Sequence, residues 1–340
     1  MKLIADQQIQ FVSEFFTQCD ELTLVLDKNI TKSTLKDADA LLVRTVTPVN
    51  KNLLENTQVK FVGAASTGID HIDHEYLKQA GIVFADAAGC NANAVLEYVL
   101  CCVASLKLKS KSTIGIVGCG RIGSLVAHTL DQLGFKILCC DPLLLNKPHF
   151  DFVSLETILS ESDFITIHTP LTQSGAHPTF HLFNQALLKK AKNNAIILNT
   201  ARGSVIDQRA LLNAKNIHFC LDVWENEPDI NVDLLNRALI ATPHIAGYTI
   251  DAKRKATELI YNQAAAFFNW KKIPELSHQK SDNLLLQHKN NWAVFVLSHF
   301  NPMILTQLLK NKIQNRSDKN RIKTIFLNER NNYPLRKEFN

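Results

Sequence analysis

Arg202, Glu227 and His244 are residue types that together can oxidise an alcohol, and each stands just past a short apolar run. Arg202 follows AIILN in the stretch NTARG, Glu227 follows HFCL in DVWENEP, and His244 follows LIA in TPHIAGYT. A neutral imidazole takes a hydroxyl proton near working pH. A carboxylate beside it stabilises the imidazolium that forms and fixes the ring. A guanidinium grips a carboxylate through two charge-assisted hydrogen bonds and polarises the neighbouring C–O bond. The set suits a hydroxyl next to a carboxylate, losing its proton to the imidazole while hydride leaves the same carbon. Such chemistry needs a hydride acceptor.

The acceptor's place is written in Gly118-Cys119-Gly120-Arg121-Ile122-Gly123. Gly-x-Gly-x-x-Gly alone is a weak signal, but here it follows the strand-like TIGIV and opens the helix-like RIGSLVAHTLDQLG. The glycines permit a tight turn and close approach of backbone N–H groups to a pyrophosphate, and the helix start adds partial positive charge. The next strand-like run, KILCC, ends at Asp141. A carboxylate there accepts both ribose hydroxyls and repels a 2′-phosphate, and no Arg follows it in DPLL, so NAD is expected rather than NADP.

These positions need strands to carry them. Strand-like runs are read at 2–5, 22–26, 40–43, 60–64 and 82–84, then at 113–117, 136–140, 164–167, 195–198, 218–221 and 239–241. Helix-like segments at 8–18, 74–79, 92–107, 122–133 and 184–190 lie between them. Alternation of this kind predicts α/β architecture: two Rossmann-like, doubly wound parallel-sheet domains. In such sheets ligands bind beyond the carboxyl ends of the strands, where Arg202, Glu227 and His244 all fall. A helix over 249–270 is expected to return the chain to the first domain. The expected boundaries are 1–91 with 249–272 for a flavodoxin-like substrate domain, 92–248 for the NAD-binding domain, and 281–340 for a small C-terminal α+β unit. SHQKSDN reads as the linker before that unit, 292–300 as an apolar segment within it, and 323–327 as a strand.

At 340 residues the chain exceeds the size of one core. A hydrophobic share of 46% with 20% charged residues excludes a disordered chain. The eight cysteines include the neighbours Cys101–Cys102 and Cys139–Cys140 inside apolar runs, and no Cys-x-x-Cys pair, so they read as buried thiols in a reducing cytosol. No signal peptide is read at MKLIADQQIQ, and the apolar run 98–106 is too short for a bilayer, so neither secretion nor membrane insertion is expected. Of the net charge of +5, residues 309–340 hold an excess of +6, but their basic residues are scattered, which speaks for a solvated face over a nucleic-acid site. His71 and His74 bracket Asp73, and a polar loop is preferred to a metal site there.

GCGRIG, HTPLT, NTARGSVID, LDVWENEP and TPHIAGYT together resemble the D-isomer-specific 2-hydroxyacid dehydrogenase family. ALLVRTVTPVN and FVGAASTGIDHID support it, and HIAGYT and AGCNANAVLEYV narrow the resemblance to a branch that acts on a small phosphorylated hydroxy acid. It covers about residues 1–270 strongly. The resemblance implies His244 as proton donor and acceptor with Arg202 and Glu227 as companions. It implies NAD contacts at Gly118, Gly120, Arg121, Ile122, Gly123, Asp141, Thr169, Asp222 and Gly247, with Asp222 holding the nicotinamide carboxamide. Thr45, Ser66 and Tyr248 match substrate positions, and Arg44 beside Thr45 adds charge. It further implies a homodimer formed through a C-terminal dimerisation unit, expected here in shortened form. Two other readings stand beside this one: a dehydrogenase of glycerate or phosphoglycerate, and a non-enzymatic NAD-sensing binding protein.

Overall fold

A computed structural model describes residues 1–144, 150–274, 284–314, 316 and 318–339. They form two compact units. The first takes Met1–Asn91 and resumes at Tyr248; the second takes Ala92–Gly247 and the described residues after 283.

The first unit is built on five parallel strands, β1 (Lys2–Asp6), β2 (Glu21–Val25), β3 (Ala40–Val43), β4 (Phe61–Ala64) and β5 (Val83–Asp86), in the order β2-β1-β3-β4-β5. ALLV of β3 and FVGA of β4 are buried at every position, as strands covered on both faces must be. The helix Ile250–Phe268 covers one face, setting Ala256, Ile260, Tyr261 and Ala264 against Leu3, Leu42 and Phe61. Gly63 lets it approach: a Cβ there would stand 2.5 Å from Ile260 Cγ2. Ile4, Leu41, Val43 and Val62 face the other way, onto Leu35, Leu54 and Leu77.

The second unit carries seven parallel strands, β6 (Thr113–Val117), β7 (Lys136–Cys140), β8 (Asp151–Phe152), β9 (Phe164–Ile167), β10 (Ile196–Asn199), β11 (His218–Leu221) and β12 (Ile240–Ala241), ordered β12-β11-β10-β9-β6-β7-β8. Strand order reverses between β6 and β9, which in this class of sheet marks the ligand-binding crevice. Helix Ala92–Ser105 is buried along most of its length, through Tyr98, Val99, Cys102 and their neighbours.

Several expectations need correction. The described residues from 284 onward contain helices, Trp292–His299, Pro302–Ile313 and Lys319–Asn331 among them, and no strand, so an α+β unit is not what forms there. KTIFL, expected as a strand, lies inside Lys319–Asn331: Asp318 caps that helix, and Ile322 and Phe326, four apart, bury one helical face in the core of the second unit. The helix expected over 8–18 is reduced to Val12–Phe15, because Phe11 takes a left-handed φ of 65° and Asp6 ties Gln8 and Ile9 into a turn before it. The expected linker lies outside the described residues. Lys289–Ile313, unlike the shorter apolar run 98–106, is long and apolar enough to cross a bilayer by length and composition. It folds as two helices parted at Phe300, whose φ of −152° is extended, with Asn301 capping the second helix and Pro302 opening it.

Residues 333–339 close onto helix Ala92–Ser105. Arg336 Nη1 donates to Glu97 Oε2, Arg336 Nη2 to the Ala94 carbonyl at 3.1 Å, and the Phe339 N–H to Glu97 Oε1 at 2.7 Å. Burial pushes the Glu97 carboxyl up to about 7, only partly countered by the Arg336 charge and hydrogen bond.

Candidate active site

Because all seven strands of the second unit run parallel, their carboxyl ends share one edge, and that edge collects the candidate residues. After β6 the chain turns through Gly118 at a φ of +87°, the left-handed region glycine enters without penalty. A Cβ on Gly118 would stand 2.9 Å from the His168 and Thr169 backbone, so the glycine loop lies directly against the end of β9. Gly123 is required by contact, since its Cβ would fall 1.9 Å from the Gly118 carbonyl oxygen. Above Gly120 there is open space within 4 Å, and no side chain caps the helix Arg121–Gln132 that starts there. A pyrophosphate fits such a start, its charge met by the first-turn N–H groups.

Asp141, just past β7, accepts the Cys119 N–H at 2.8 Å on one oxygen and the Leu143 N–H at 3.0 Å on the other. It therefore holds the glycine loop in place as well as standing where a ribose would be read. Thr169 Oγ1 is buried with no hydrogen-bond partner among the described residues, an orphaned group of the kind a bound cofactor satisfies. Beside it, burial lowers His168 to about 3, so this imidazole is neutral at any working pH.

Beyond β11, Asp222 is buried and fully engaged in shaping the turn after β12. Its Oδ1 accepts from Thr242 Oγ1 (2.6 Å) and the Ile245 N–H (2.8 Å), and its Oδ2 from the Ala246 N–H (2.9 Å). Burial pushes this carboxyl up, against the opposing pull of the His244 charge and these donors. Thr242 spends its proton on Asp222, so the Tyr98 hydroxyl donates to Thr242 Oγ1 at 2.6 Å, forming a buried relay from helix Ala92–Ser105. Trp224 Nε1 donates to the Thr242 carbonyl at 2.9 Å.

That turn presents His244, itself at a left-handed φ of 58°. Such a backbone costs about 1–3 kcal/mol and persists only where its surroundings over-determine it. They do: the His244 N–H donates to the Asp222 carbonyl at 2.7 Å, and the next two N–H groups donate to the Asp222 carboxylate. His244 Nδ1 is hydrogen-bonded to Glu227 Oε1. Burial would raise the Glu227 carboxyl, but the charge and hydrogen bond of His244, aided by Arg330 and the Trp224 N–H, outweigh it and hold Glu227 below its ordinary value. Glu227 thus stays ionised next to the ring.

Arg202 follows β10, the neighbour of β11. Asn199 Nδ2 donates to its carbonyl at 2.9 Å, and Arg202 Nη1 donates to the Ala201 carbonyl at 2.8 Å. The peptide after it, at Gly203, packs backbone to backbone on Trp224–Glu225: a Cβ on Gly203 would lie 2.0 Å from Trp224 C. The Arg202 turn and the Glu227 loop are thereby seated on each other.

Residues 103–246 match the family model described as D-isomer specific 2-hydroxyacid dehydrogenase, NAD binding domain. An erythronate-4-phosphate dehydrogenase of Coxiella burnetii (strain RSA 331 / Henzerling II) is 40% identical across the whole of this chain and 93% of its own. The chain belongs to the erythronate-4-phosphate dehydrogenase family. A second member, from Cellvibrio japonicus (strain Ueda107), is 41% identical over 84% of this chain and 77% of its own. Among solved structures, D-lactate dehydrogenase from Aquifex aeolicus, complexed with NAD and lactic acid, is similar with a TM-score of 0.68 and 26% identity, over 79% of this chain and 96% of that one. The protein is an NAD-dependent 2-hydroxyacid dehydrogenase of two α/β units.

The glycine loop, Asp141, Thr169, Asp222, Arg202, Glu227, His244 and Gly247 belong to the second unit of this family member, whereas Thr45, Ser66 and Tyr248 belong to the first. Thr45 is exposed just past β3. Ser66 Oγ donates to the Gly68 carbonyl at 2.8 Å, leaving the hydroxyl oxygen as an acceptor. Lys253 Nζ sits 4.0 Å from the centre of the Tyr248 ring. Sequence reasoning passed over Tyr98 and Thr242, whose contribution is a contact between residues far apart in the chain; the only local signal was Thr242 standing two residues before His244.

Proposed function

We propose that this enzyme oxidises 4-phospho-D-erythronate to (3R)-3-hydroxy-2-oxo-4-phosphooxybutanoate, a step of pyridoxal 5′-phosphate biosynthesis, with Arg202, Glu227 and His244 as its catalytic residues. One observation carries the mechanism: Glu227 engages Nδ1 of His244. An ionised carboxylate at Nδ1 keeps the proton there, leaving the Nε2 lone pair to act as base. His244 Nε2 takes the proton of the substrate's C2 hydroxyl as that oxygen becomes a carbonyl. Glu227 steadies the imidazolium. Arg202 binds the carboxylate on C1 and draws electron density from the reacting C–O bond. NAD, when bound, supplies the acceptor for the hydride that leaves C2. Gly118, Gly120, Arg121, Ile122 and Gly123 would hold its pyrophosphate, Asp141 its ribose, and Thr169, Asp222 and Gly247 the remainder.

The phosphate of the proposed substrate has a matching feature in the first unit. Strand order there reverses between β1 and β3, and Asp6 and Arg44 stand at the carboxyl ends of those two strands. Arg44 Nε donates to the buried Asp6 carboxylate at 2.7 Å, which fixes the guanidinium and leaves both Nη groups without a hydrogen bond among the described residues. Thr45 and Ser66 follow β3 and β4 on the same edge, and with Tyr248 complete the proposed substrate set.

A homodimer is the proposed assembly. Val294 (72% exposed), Ile304 (60%), Met303, Leu308 and Leu327 are apolar side chains left exposed on the helices Trp292–His299, Pro302–Ile313 and Lys319–Asn331, which a second copy would cover. The eight cysteines are all free thiols, in keeping with the proposed cytoplasmic location. A panel of 2-hydroxy acids followed by NADH absorbance tests the substrate. 4-Phospho-D-erythronate should exceed D-erythronate in kcat/KM by about 10- to 100-fold, because a hydrogen bond to a charged group is worth about 1.5–3 kcal/mol. A preference for glycerate or 3-phosphoglycerate would overturn the assignment, and absence of any turnover would favour an NAD-sensing protein.

A further inference from the structure

We infer that His181 is a positioning residue that clasps the Arg202 turn to the Glu227 loop. The inference rests on the reading of Arg202 and Glu227 as catalytic. His181 lies at the end of the segment that leaves β9 at Thr169, a segment braced by its own threonines: Thr172 N–H donates to Thr179 Oγ1 at 2.8 Å, and Thr179 Oγ1 donates to the Pro170 carbonyl at 2.6 Å. At His181 the chain takes a left-handed φ of 49°, a conformation a histidine holds only under constraint.

Two constraints act on it. Its backbone N–H donates to the Ser204 carbonyl at 2.8 Å, two residues past Arg202. Its imidazole Nε2 meets Glu225 Oε1 at 2.6 Å, two residues before Glu227. The Phe180 ring stacks on the imidazole, with centroids 4.0 Å apart and planes 17° apart, and fixes its plane. Glu225 is gripped from a third side, its carbonyl accepting Gln208 Nε2 at 2.9 Å. One residue therefore joins the two segments, its backbone N–H holding the one that bears Arg202 and its imidazole holding the loop that bears Glu227, on top of the backbone contact at Gly203. The pair is partly exposed, at 32% and 17% of the side-chain surface, so it is not needed to fill the core. What it sets is where a guanidinium and a carboxylate stand, and catalysis is steep in such placement.

The test uses the full-length enzyme with His181→Ala, His181→Gln, Glu225→Ala and the double Ala variant, measuring kcat, KM, NAD affinity by fluorescence titration, and Tm. Arg202→Ala and Glu227→Ala serve as references. His181→Ala should lower kcat about 10- to 100-fold while NAD affinity stays within about twofold. His181→Gln keeps a donor at the Nε2 position and should restore most of kcat. The double variant should be no slower than either single one, as expected when both partners serve one interaction. Unchanged kcat in His181→Ala, equal losses in the Gln and Ala variants, or additive losses in the double variant would each overturn the clasp. Full activity in Arg202→Ala or Glu227→Ala would instead overturn the catalytic reading beneath it.

Discussion

Gly203→Ala adds a single methyl group at the point where the two catalytic segments touch. The new Cβ would meet Trp224 C at 2.0 Å, Glu225 N at 2.2 Å and Trp224 O at 2.2 Å, against an ordinary contact distance of 3.4–4 Å. All three atoms are main chain, so no rotamer change relieves the overlap, and the segments must part by roughly 1 Å or more. Displacing catalytic groups by about 1 Å costs on the order of 10²-fold in rate, and overpacking of this kind costs about 1–3 kcal/mol of stability. The expected outcome is a kcat/KM near one-hundredth of wild type, a lowered Tm, and NAD affinity reduced far less than kcat/KM, because the pyrophosphate and ribose positions around Gly118 and Asp141 lie on other strands and only Asp222 stands near the displaced peptide. Steady-state NADH absorbance, fluorescence titration with NAD and a thermal melt read the three quantities. A Gly203→Ala enzyme with kcat/KM within threefold of wild type would refute the claim that backbone contact registers Arg202 against Glu227.

Two further outcomes follow from groups described above. Asp141→Ala removes both the proposed ribose acceptor and the acceptor for the Cys119 and Leu143 N–H groups, so KM for NAD should rise about 10- to 100-fold and preference over NADP should fall, as kcat/KM with each cofactor would show; undiminished NAD preference would remove Asp141 from cofactor choice. Glu97 is raised on folding from an ordinary 4.5 to about 7, so the folded chain keeps a proton that the unfolded chain releases above 4.5. Its share of stability is complete below pH 4.5 and is lost as pH climbs through about 7, amounting to about 3 kcal/mol for the full shift. Urea midpoints at pH 5 and pH 8 should therefore fall with rising pH in wild type and change less in Glu97→Gln, and an identical pH dependence in both would contradict it.

Much of the scaffold could be read from residues because buried parallel strands are unbroken apolar runs. Ala40–Val43, Thr113–Val117, Lys136–Cys140, Phe164–Ile167 and His218–Leu221 occupy the residues expected of them. Asp151–Phe152 was not legible, since a two-residue edge strand has no run to recognise. KTIFL misled because its β-branched and aromatic residues resemble a strand, while the Asp318 cap and the four-residue spacing of Ile322 and Phe326 decide for a helix. The positions of Arg202, Glu227 and His244 past strand ends were visible because an apolar run stops ahead of each. The contacts that orient them were not. His181 and Glu225 are 44 residues apart, and Tyr98 and Thr242 are 144 apart, so only the folded sheet order brings either pair together.

The interruption of the first unit has a consequence in time. Its five strands are complete once Asp86 has been synthesised, yet the helix Ile250–Phe268 that covers Leu3, Leu42 and Phe61 comes only after the whole of Ala92–Gly247. At translation rates of about 5–20 residues per second, that sheet waits roughly 9–36 seconds for Phe268 with one apolar face uncovered. The segment made first thus stays open while Ala92–Gly247 is made, an interval in which its uncovered apolar surface is exposed to aggregation.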